Sequence, residues 1–151
     1  MNPPNRNFQP RPAAPECDVG EIIGEIRLGD ISDELYARIA EEAAKCIAEN
    51  SSREVNKSTQ LRRFYDELAL WNEKINGRST PEERAARYQE LAPLIKMMNA
   101  KVVYAEGRKH IDKNFVTLFR HVLNQVKNPR TLEQAKLFVE AFMGFYKAYK
   151  G

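Results

Sequence analysis

The sequence has little cysteine and no long apolar run, and each shortage excludes a class of protein. Cys17 and Cys46 have a spacing that makes neither a metal site nor a disulfide framework. No apolar stretch approaches the roughly 20 residues that cross a bilayer, and residues 1–6 lack the apolar segment of a secretory signal. With 42% hydrophobic and 30% charged residues, we expect an ordinary soluble globular protein in the cytoplasm.

Motifs of catalysis and metal binding are missing too. The chain has no P-loop, no dinucleotide-binding glycine motif and no zinc-protease motif. On one continuous helix, His110 and His121 would lie about 16 Å apart, too far to share a metal. Adjacent carboxylates such as Glu41 and Glu42 point about 100° apart on a helix. We therefore expect no catalytic residue, metal or cofactor, and a small hydrolase or metal enzyme is the least favoured hypothesis.

Charge is unevenly distributed along the chain. Residues 16–50 hold ten acidic and three basic side chains, a net charge of −7, whereas residues 96–130 hold eight basic and two acidic ones, a net charge of +6. Such asymmetry favours a molecule with one surface for a polyanion and another for a basic neighbour. Chance clustering of charges on solvated helix faces explains the pattern equally well.

The N-terminal segment is rich in proline. Five of the eight prolines lie within residues 1–15, among few apolar side chains. Such a segment buries too little surface to offset the entropy of ordering it, although Arg6 and Arg11 remain available to a nearby phosphate. We therefore predict a flexible tail over residues 1–20 and a single helical domain over residues 21–151.

Apolar residues at helical spacing predict an all-α fold, a compact bundle of about five helices. Residues 19–31, with three glycines among isoleucines, form a short element that the pattern determines weakly. The strongest local signal is a capping box at Thr80, with proline at the first helical position. The first predicted helix runs from Asp30 or Ser32 to Asn50, and the second from about Ser58 to Asn76 with Gly77 as cap. The third runs from Thr80 to about Val126; it is kinked or broken at Pro93 and weakened at Gly107. The last helix starts with a second capping box at Thr131 and Gln134.

The last helix carries an unusually aromatic face, which includes Phe138, Phe142, Phe145 and Tyr149. In a bundle such a face normally belongs to the core. If it is exposed instead, it favours a helical adaptor that binds other proteins without RNA contact. Both interpretations remain open from the sequence.

Two basic segments predict a polyanion site. Lys57 precedes the start of the second helix, where free backbone N–H groups favour phosphate, and Arg62 and Arg63 are excluded from its apolar stripe. Lys101, Tyr104 and Arg108 lie at i, i+3 and i+7, so an aromatic ring stands between two cations on one helix face. This arrangement suits contact with phosphates and occasional packing on a base or ribose. The alternative is a solvated face with Tyr104 in the core.

These same segments carry a resemblance. Residues 57–68 (KSTQLRRFYDEL) and 101–108 (KVVYAEGR), together with the aromatic segment 142–147 (FMGFYK), resemble the small helical subunit of type III-A CRISPR effector (Csm) complexes. Their order and spacing agree with that family from about residue 32 to residue 150.

The resemblance implies a non-enzymatic subunit that is present in several copies. Such copies stack beside the backbone subunits that hold the guide RNA, contact the target RNA paired with the guide, and lie near the large subunit. Matching positions of this chain to the family's motifs implies seven RNA-binding residues: Lys57, Gln60, Arg62, Arg63, Lys101, Arg108 and Lys109. Backbone contacts of this kind are independent of sequence, because guide pairing carries the sequence information.

Overall fold

Apolar stripes at helical spacing are buried along the long helices of the chain, as the sequence predicts. A computed structural model describes residues 17–150, and within that range it contains helices and no strand. The all-α fold is therefore confirmed, and the predicted tail lies mostly outside the described residues. The elements are α1 (Val19–Ile23), a π-helical turn (Leu35–Ile39) that leads into α2 (Ala40–Asn50), α3 (Ser58–Asn76), α4 (Pro81–Lys96), α5 (Met98–Gly107), α6 (Lys113–Asn124) and α7 (Pro129–Lys150).

Helix α7 lies at the centre of the bundle, where it packs against α2 and α3. Phe138 and Phe142 are each 1% exposed, and Tyr146 is fully buried. Rings from α3, α6 and α7 stack or tilt against one another at centroid separations of 5.5 to 6.1 Å. The aromatic face of α7 is therefore core, which removes the observation that favoured a protein-binding adaptor. Of the four residues of this face, Tyr149 at the end of the helix is clearly exposed, at 46%.

The third predicted helix is divided into three. Its start is as predicted, because Thr80 Oγ1 accepts from the backbone N–H of Glu83 at 3.1 Å. The helix was expected to kink or break at Pro93; α4 continues through this exposed proline and ends three residues later, at Lys96. Proline has no N–H to donate to the carbonyl four residues earlier. Because Pro93 is exposed, water can bind that carbonyl, which makes the missing hydrogen bond tolerable. Helix α5 ends at Gly107, where a weak point was predicted.

Lys96 holds the end of α6. Its Nζ donates to the carbonyl oxygens of Leu123 and Val126 at 2.8 and 2.7 Å. Burial, with Lys127 nearby, lowers the pKa of Lys96 from its ordinary value. One of the eight bases in residues 96–130 is therefore a helix cap and not part of a surface for a polyanion.

Two helix starts differ from the prediction. Ser32 Oγ accepts from the N–H of Glu34 at 3.1 Å, as a predicted cap should, but the helical turn begins slightly later, at Leu35, where Glu34 accepts from the backbone N–H of Arg38 at 3.3 Å. Helix α7 begins at Pro129, because the Asn128 side chain accepts from the N–H of Thr131 at 2.8 Å and Thr131 Oγ1 accepts from the N–H of Asn128 at 3.0 Å. This reciprocal pair is a capping box one turn earlier than expected.

Gln125, at the end of α6, and Gln134 of α7 hold the segment before α2. Gln134 does not cap its own helix; its Oε1 accepts from the N–H of Gly29 at 2.7 Å. Gln125 accepts from the N–H of Leu28 at 3.0 Å and donates to the carbonyl of Ile26 at 2.8 Å. Ile26 is fully buried. A segment with weak intrinsic structure is thus ordered by tertiary contacts.

The two cysteines are joined. Cys17 and Cys46 form a disulfide with a Cα–Cα separation of 5.3 Å, and Asn50 Nδ2 donates to the Cys17 carbonyl at 2.6 Å. The expectation that these residues make no disulfide is wrong. Spacing along the sequence carries no information about this pair, because the bond depends on the segment before α1 lying across α2.

Asn56 joins three parts of the bundle. It is fully buried at a positive φ of 60°. Its N–H donates to the His110 carbonyl at 3.0 Å, its Oδ1 accepts from the N–H of Asp112 at 2.9 Å, and its Nδ2 donates to Ser51 Oγ at 2.8 Å. Its carbonyl accepts from the Tyr146 hydroxyl at 2.5 Å. Burial raises the pKa of Tyr146 to about 12, so this hydroxyl remains a donor at neutral pH.

None of the helices within residues 17–150 combines the length and apolar character needed to cross a membrane.

Replacing Cys17 with serine tests the disulfide. Closing a loop of this length is expected to contribute about 3–4 kcal/mol to the free energy of unfolding. We expect Cys17→Ser to lower that free energy, and a reductant to lower it in the parent chain but not in the variant, as measured by urea unfolding. Two titratable thiols in unreduced, denatured protein would contradict the bond.

Substitutions at Asn56 separate its side-chain bonds from its backbone conformation. Asn56→Ala removes two buried side-chain bonds and keeps a Cβ in the left-handed region without the polar side chain that tolerates it, so we expect a loss of about 3–5 kcal/mol in the free energy of unfolding. Asn56→Gly relieves the backbone and should lose about 1–2 kcal/mol less. Urea unfolding followed by circular dichroism measures both. Losses below about 1 kcal/mol for both variants would show that the residue does not link these elements.

Candidate nucleic-acid interface

The start of α3 presents its charged residues outward. Lys57 precedes the helix, and Leu61, Leu68 and Ile75 take the buried stripe. Arg62 and Arg63 are consequently exposed, as the sequence predicts. Arg62 lies 3.8 Å from Asp66, with both side chains more than 60% exposed, so this pair constrains the arginine little.

A groove between α3 and α5 brings the two basic segments together. It has a volume of about 370 Å³ and is called here the α3–α5 groove. Its lining contains four of the seven predicted RNA-binding residues, contributed by both segments. The lining residues are Gln60, Arg63, Phe64, Glu67, Lys101, Tyr104, Ala105, Arg108 and His110. Residues separated by about forty positions in the sequence therefore share one concave surface.

Cations outnumber acids in this groove. Its lining contains three permanent cations, and Glu67 is the one acid among the lining residues. Lys101 Nζ lies 2.7 Å from Glu67 Oε1, in a pair whose side chains are 46% and 23% exposed. A partly exposed pair of this kind is worth about 1 kcal/mol or less. Lys101 can therefore exchange Glu67 for a phosphate oxygen at small cost.

Tyr104 belongs to the groove surface and not to the core. Its side chain is 65% exposed, the largest value among the large hydrophobic residues exposed within residues 17–150. Arg108 Nη1 donates to the Tyr104 hydroxyl at 3.2 Å, and its guanidinium carbon lies 5.9 Å from the ring centroid. The interpretation that placed Tyr104 in the core is wrong.

Lys57 and Arg62 lie on the other flank of α3. Arg62 lines a groove of about 430 Å³ between α3 and α7, together with Ser58, Tyr65 and Lys147. Lys57 is 3.2 Å from Glu54 and lines an adjoining depression with Arg53, Lys147 and Lys150. The seven predicted residues thus do not share one surface: four line the α3–α5 groove, Lys57 and Arg62 lie on the other flank of α3, and Lys109 lines neither side.

Lys109 lies in the turn after α5 and does not line the α3–α5 groove. It is exposed at a positive φ of 63°. Its N–H donates to the Glu106 carbonyl at 2.9 Å, and the N–H of His110 donates to the Ala105 carbonyl at 3.0 Å. This hydrogen-bond pattern is the Schellman motif, in which glycine usually occupies the position that Lys109 takes.

Three basic residues at this end of the bundle were not predicted from the sequence. Arg53, Lys147 and Lys150 come close to Lys57 because the end of α7 meets the start of α3. Lys150 Nζ donates to the carbonyls of Ser52 and Val55 at 2.7 and 3.0 Å, and burial lowers its pKa. The sequence signal for this cluster is a pair of lysines in the last turn of the final helix. Lysines at a helix C-terminus also interact favourably with the helix dipole, so this signal is not specific.

The two histidines lie at structural positions in the fold. His110 lies in the turn between α5 and α6, so the two histidines do not share a continuous helix. His121 Nε2 lies 3.0 Å from the carbonyl of Ile26. Within residues 17–150, no cluster of three or more His, Cys, Asp or Glu side chains is arranged to hold a metal ion.

Comparison with known proteins places these features in a family. A search of curated proteins and a search of solved structures each gave no match. The family model described as Csm2 Type III-A matches residues 33–151, which include every residue of the α3–α5 groove. The chain belongs to this Csm2 family, the small subunit of type III-A CRISPR Csm complexes.

Proposed function

We propose that the chain is a non-catalytic RNA-binding subunit of a type III-A interference complex, and that the α3–α5 groove contacts the backbone of target RNA paired with guide RNA. The observation that carries this proposal is the convergence of Arg63, Lys101 and Arg108, from two distant segments, on one concave surface. Membership of the Csm2 family supports it, because that family belongs to an RNA-guided assembly.

Recognition in the groove is electrostatic and independent of sequence. Arginine side chains offer forked donors that match phosphate oxygens, and Lys101 adds a third cation. Gln60 adds a neutral donor and acceptor to the lining. Since each neutralised phosphate releases counterions, three contacts give a salt dependence with a slope of about −2 for a single strand. Guide pairing then supplies the sequence specificity.

The acidic region is proposed as the surface for a neighbouring subunit. Most acidic side chains of residues 17–50 are exposed, including Glu21, Glu34 and Glu49. Several copies stack when this region of one copy meets basic residues of the next that lie outside the α3–α5 groove, beside the backbone and large subunits. The assembly acts in the cytoplasm. A disulfide is unusual in that compartment, so the thiol titration described above also bears on the location.

Charge reversal in the groove tests RNA binding. We expect Arg63→Glu with Arg108→Glu to weaken binding of the isolated protein to single-stranded RNA by at least about 10-fold at low salt, and to lower the salt slope by about 1.4, the contribution of two phosphates. Both side chains are exposed, so the melting temperature should change by no more than about 2 °C. Fluorescence anisotropy over a salt series measures binding.

Two matched variants locate the effect. Arg78→Glu reverses one charge, half of the change in the double variant, at an exposed residue just beyond the opposite end of α3 and should leave affinity nearly unchanged. Glu67→Gln removes the carboxylate that competes for Lys101 and should strengthen binding. If Lys57→Glu with Arg62→Glu abolishes binding while the groove variants retain it, RNA binds the α7 flank of α3 and the proposal for the groove is wrong.

Lys109 allows a test in which stability and binding move in opposite directions. Lys109→Gly relieves the left-handed backbone, so we expect the free energy of unfolding to rise by about 0.5–1 kcal/mol. Loss of the cation should weaken RNA binding by about 2–3-fold. Lys109→Ala removes the same charge without the relief and serves as control. Equal stability of the two variants would show that the turn is not strained.

A further inference from the structure

We propose that the ring of Tyr104 stacks on an unpaired nucleobase, so that the α3–α5 groove favours RNA with an accessible base over phosphate contact alone. This inference rests on the proposed function, because it adds to the same groove a contact with a base of the bound RNA that is not paired with the guide. It concerns the kind of RNA bound, and it makes Tyr104 a binding residue in addition to the seven predicted from the sequence.

The first support is the exposure of the ring. A tyrosine that is 65% exposed leaves most of its apolar surface in water, while α5 buries Met98 and Val102 on its opposite face. The neighbouring residue Val103 is also 43% exposed. Aromatic surface that the fold leaves uncovered beside a row of cations is the feature that proteins use to hold single strands.

The second support is the position of Arg108. Its hydrogen bond to the Tyr104 hydroxyl and its distance of 5.9 Å from the ring centroid put the guanidinium near the hydroxyl end of the ring. This contact favours one orientation of the ring and leaves its faces uncovered. A ring with a preferred orientation loses less conformational freedom when a base stacks on it.

The third support is the order of charges along α5. Lys101 and Arg108 lie about one turn before and one turn after Tyr104, so cations stand on both sides of the ring along the helix axis. A strand whose base stacks on Tyr104 therefore brings its flanking phosphates towards Lys101 and Arg108. Phe64 and Ala105 provide apolar lining, and the volume of about 370 Å³ falls within the range of small-ligand clefts.

The test compares a short oligouridylate with an abasic oligoribonucleotide of equal length, which keeps the phosphates and removes the bases. We expect the parent protein to bind the oligouridylate about 10-fold more tightly, the effect of one base–aromatic stack. Tyr104→Leu should bind both at the weaker level, whereas Tyr104→Phe should retain the preference because its ring remains. Circular dichroism checks that each variant is folded.

The outcomes separate the two proposals. Equal affinity of the parent protein for both oligonucleotides, with loss of binding in Arg63→Glu/Arg108→Glu, would overturn stacking and leave backbone binding in place. A preference for bases that persists in Tyr104→Leu would also overturn the role of Tyr104. Binding of neither oligonucleotide would overturn the proposed function itself.

Discussion

Asn56 is the constraint on which the arrangement of the interface depends. It is fully buried in the α2–α3 loop, and its backbone and side-chain groups bind the α5–α6 turn, Ser51 and Tyr146 of α7. Each of these groups would be costly to bury without a partner. The folded chain must therefore hold all three neighbours against Asn56. Lys57 and α3 come directly after Asn56 in the sequence, so this neutral residue fixes the position of the basic start of α3.

The two flanks of α3 are consequences of this junction. Bonds from Asn56 to His110 and Asp112 hold the end of α5 beside α3, and the α3–α5 groove lies between these helices. The bond from Tyr146 brings the end of α7, with Lys147 and Lys150, to the opposite flank. One buried junction thus determines which cations are neighbours. Charge along the sequence does not contain this information.

Local patterns in the sequence predict local structure well. The bounds of α3, the Thr80 cap and the outward position of Arg62 and Arg63 all follow from helical periodicity and capping chemistry. The errors arise where a distant partner competes with a local one. Gln134 binds Gly29 instead of capping α7, and Cys46 meets Cys17 across helices. The role of Asn56 was missed for the same reason, since its partners lie in turns far along the chain.

The basic residues also show why net charge is a poor guide to an interface. Lys96 and Lys150 each donate to two backbone carbonyls, Lys96 at the end of α6 and Lys150 in the α2–α3 loop, and burial lowers the pKa of both. Lys101 has an exchangeable partner in Glu67, and Arg63 and Arg108 are exposed. A phosphate would have to break buried bonds to engage Lys96, but only a weak ion pair to engage Lys101. The cations suited to RNA are therefore those whose existing contacts are weakest, and the α3–α5 groove gathers three of them.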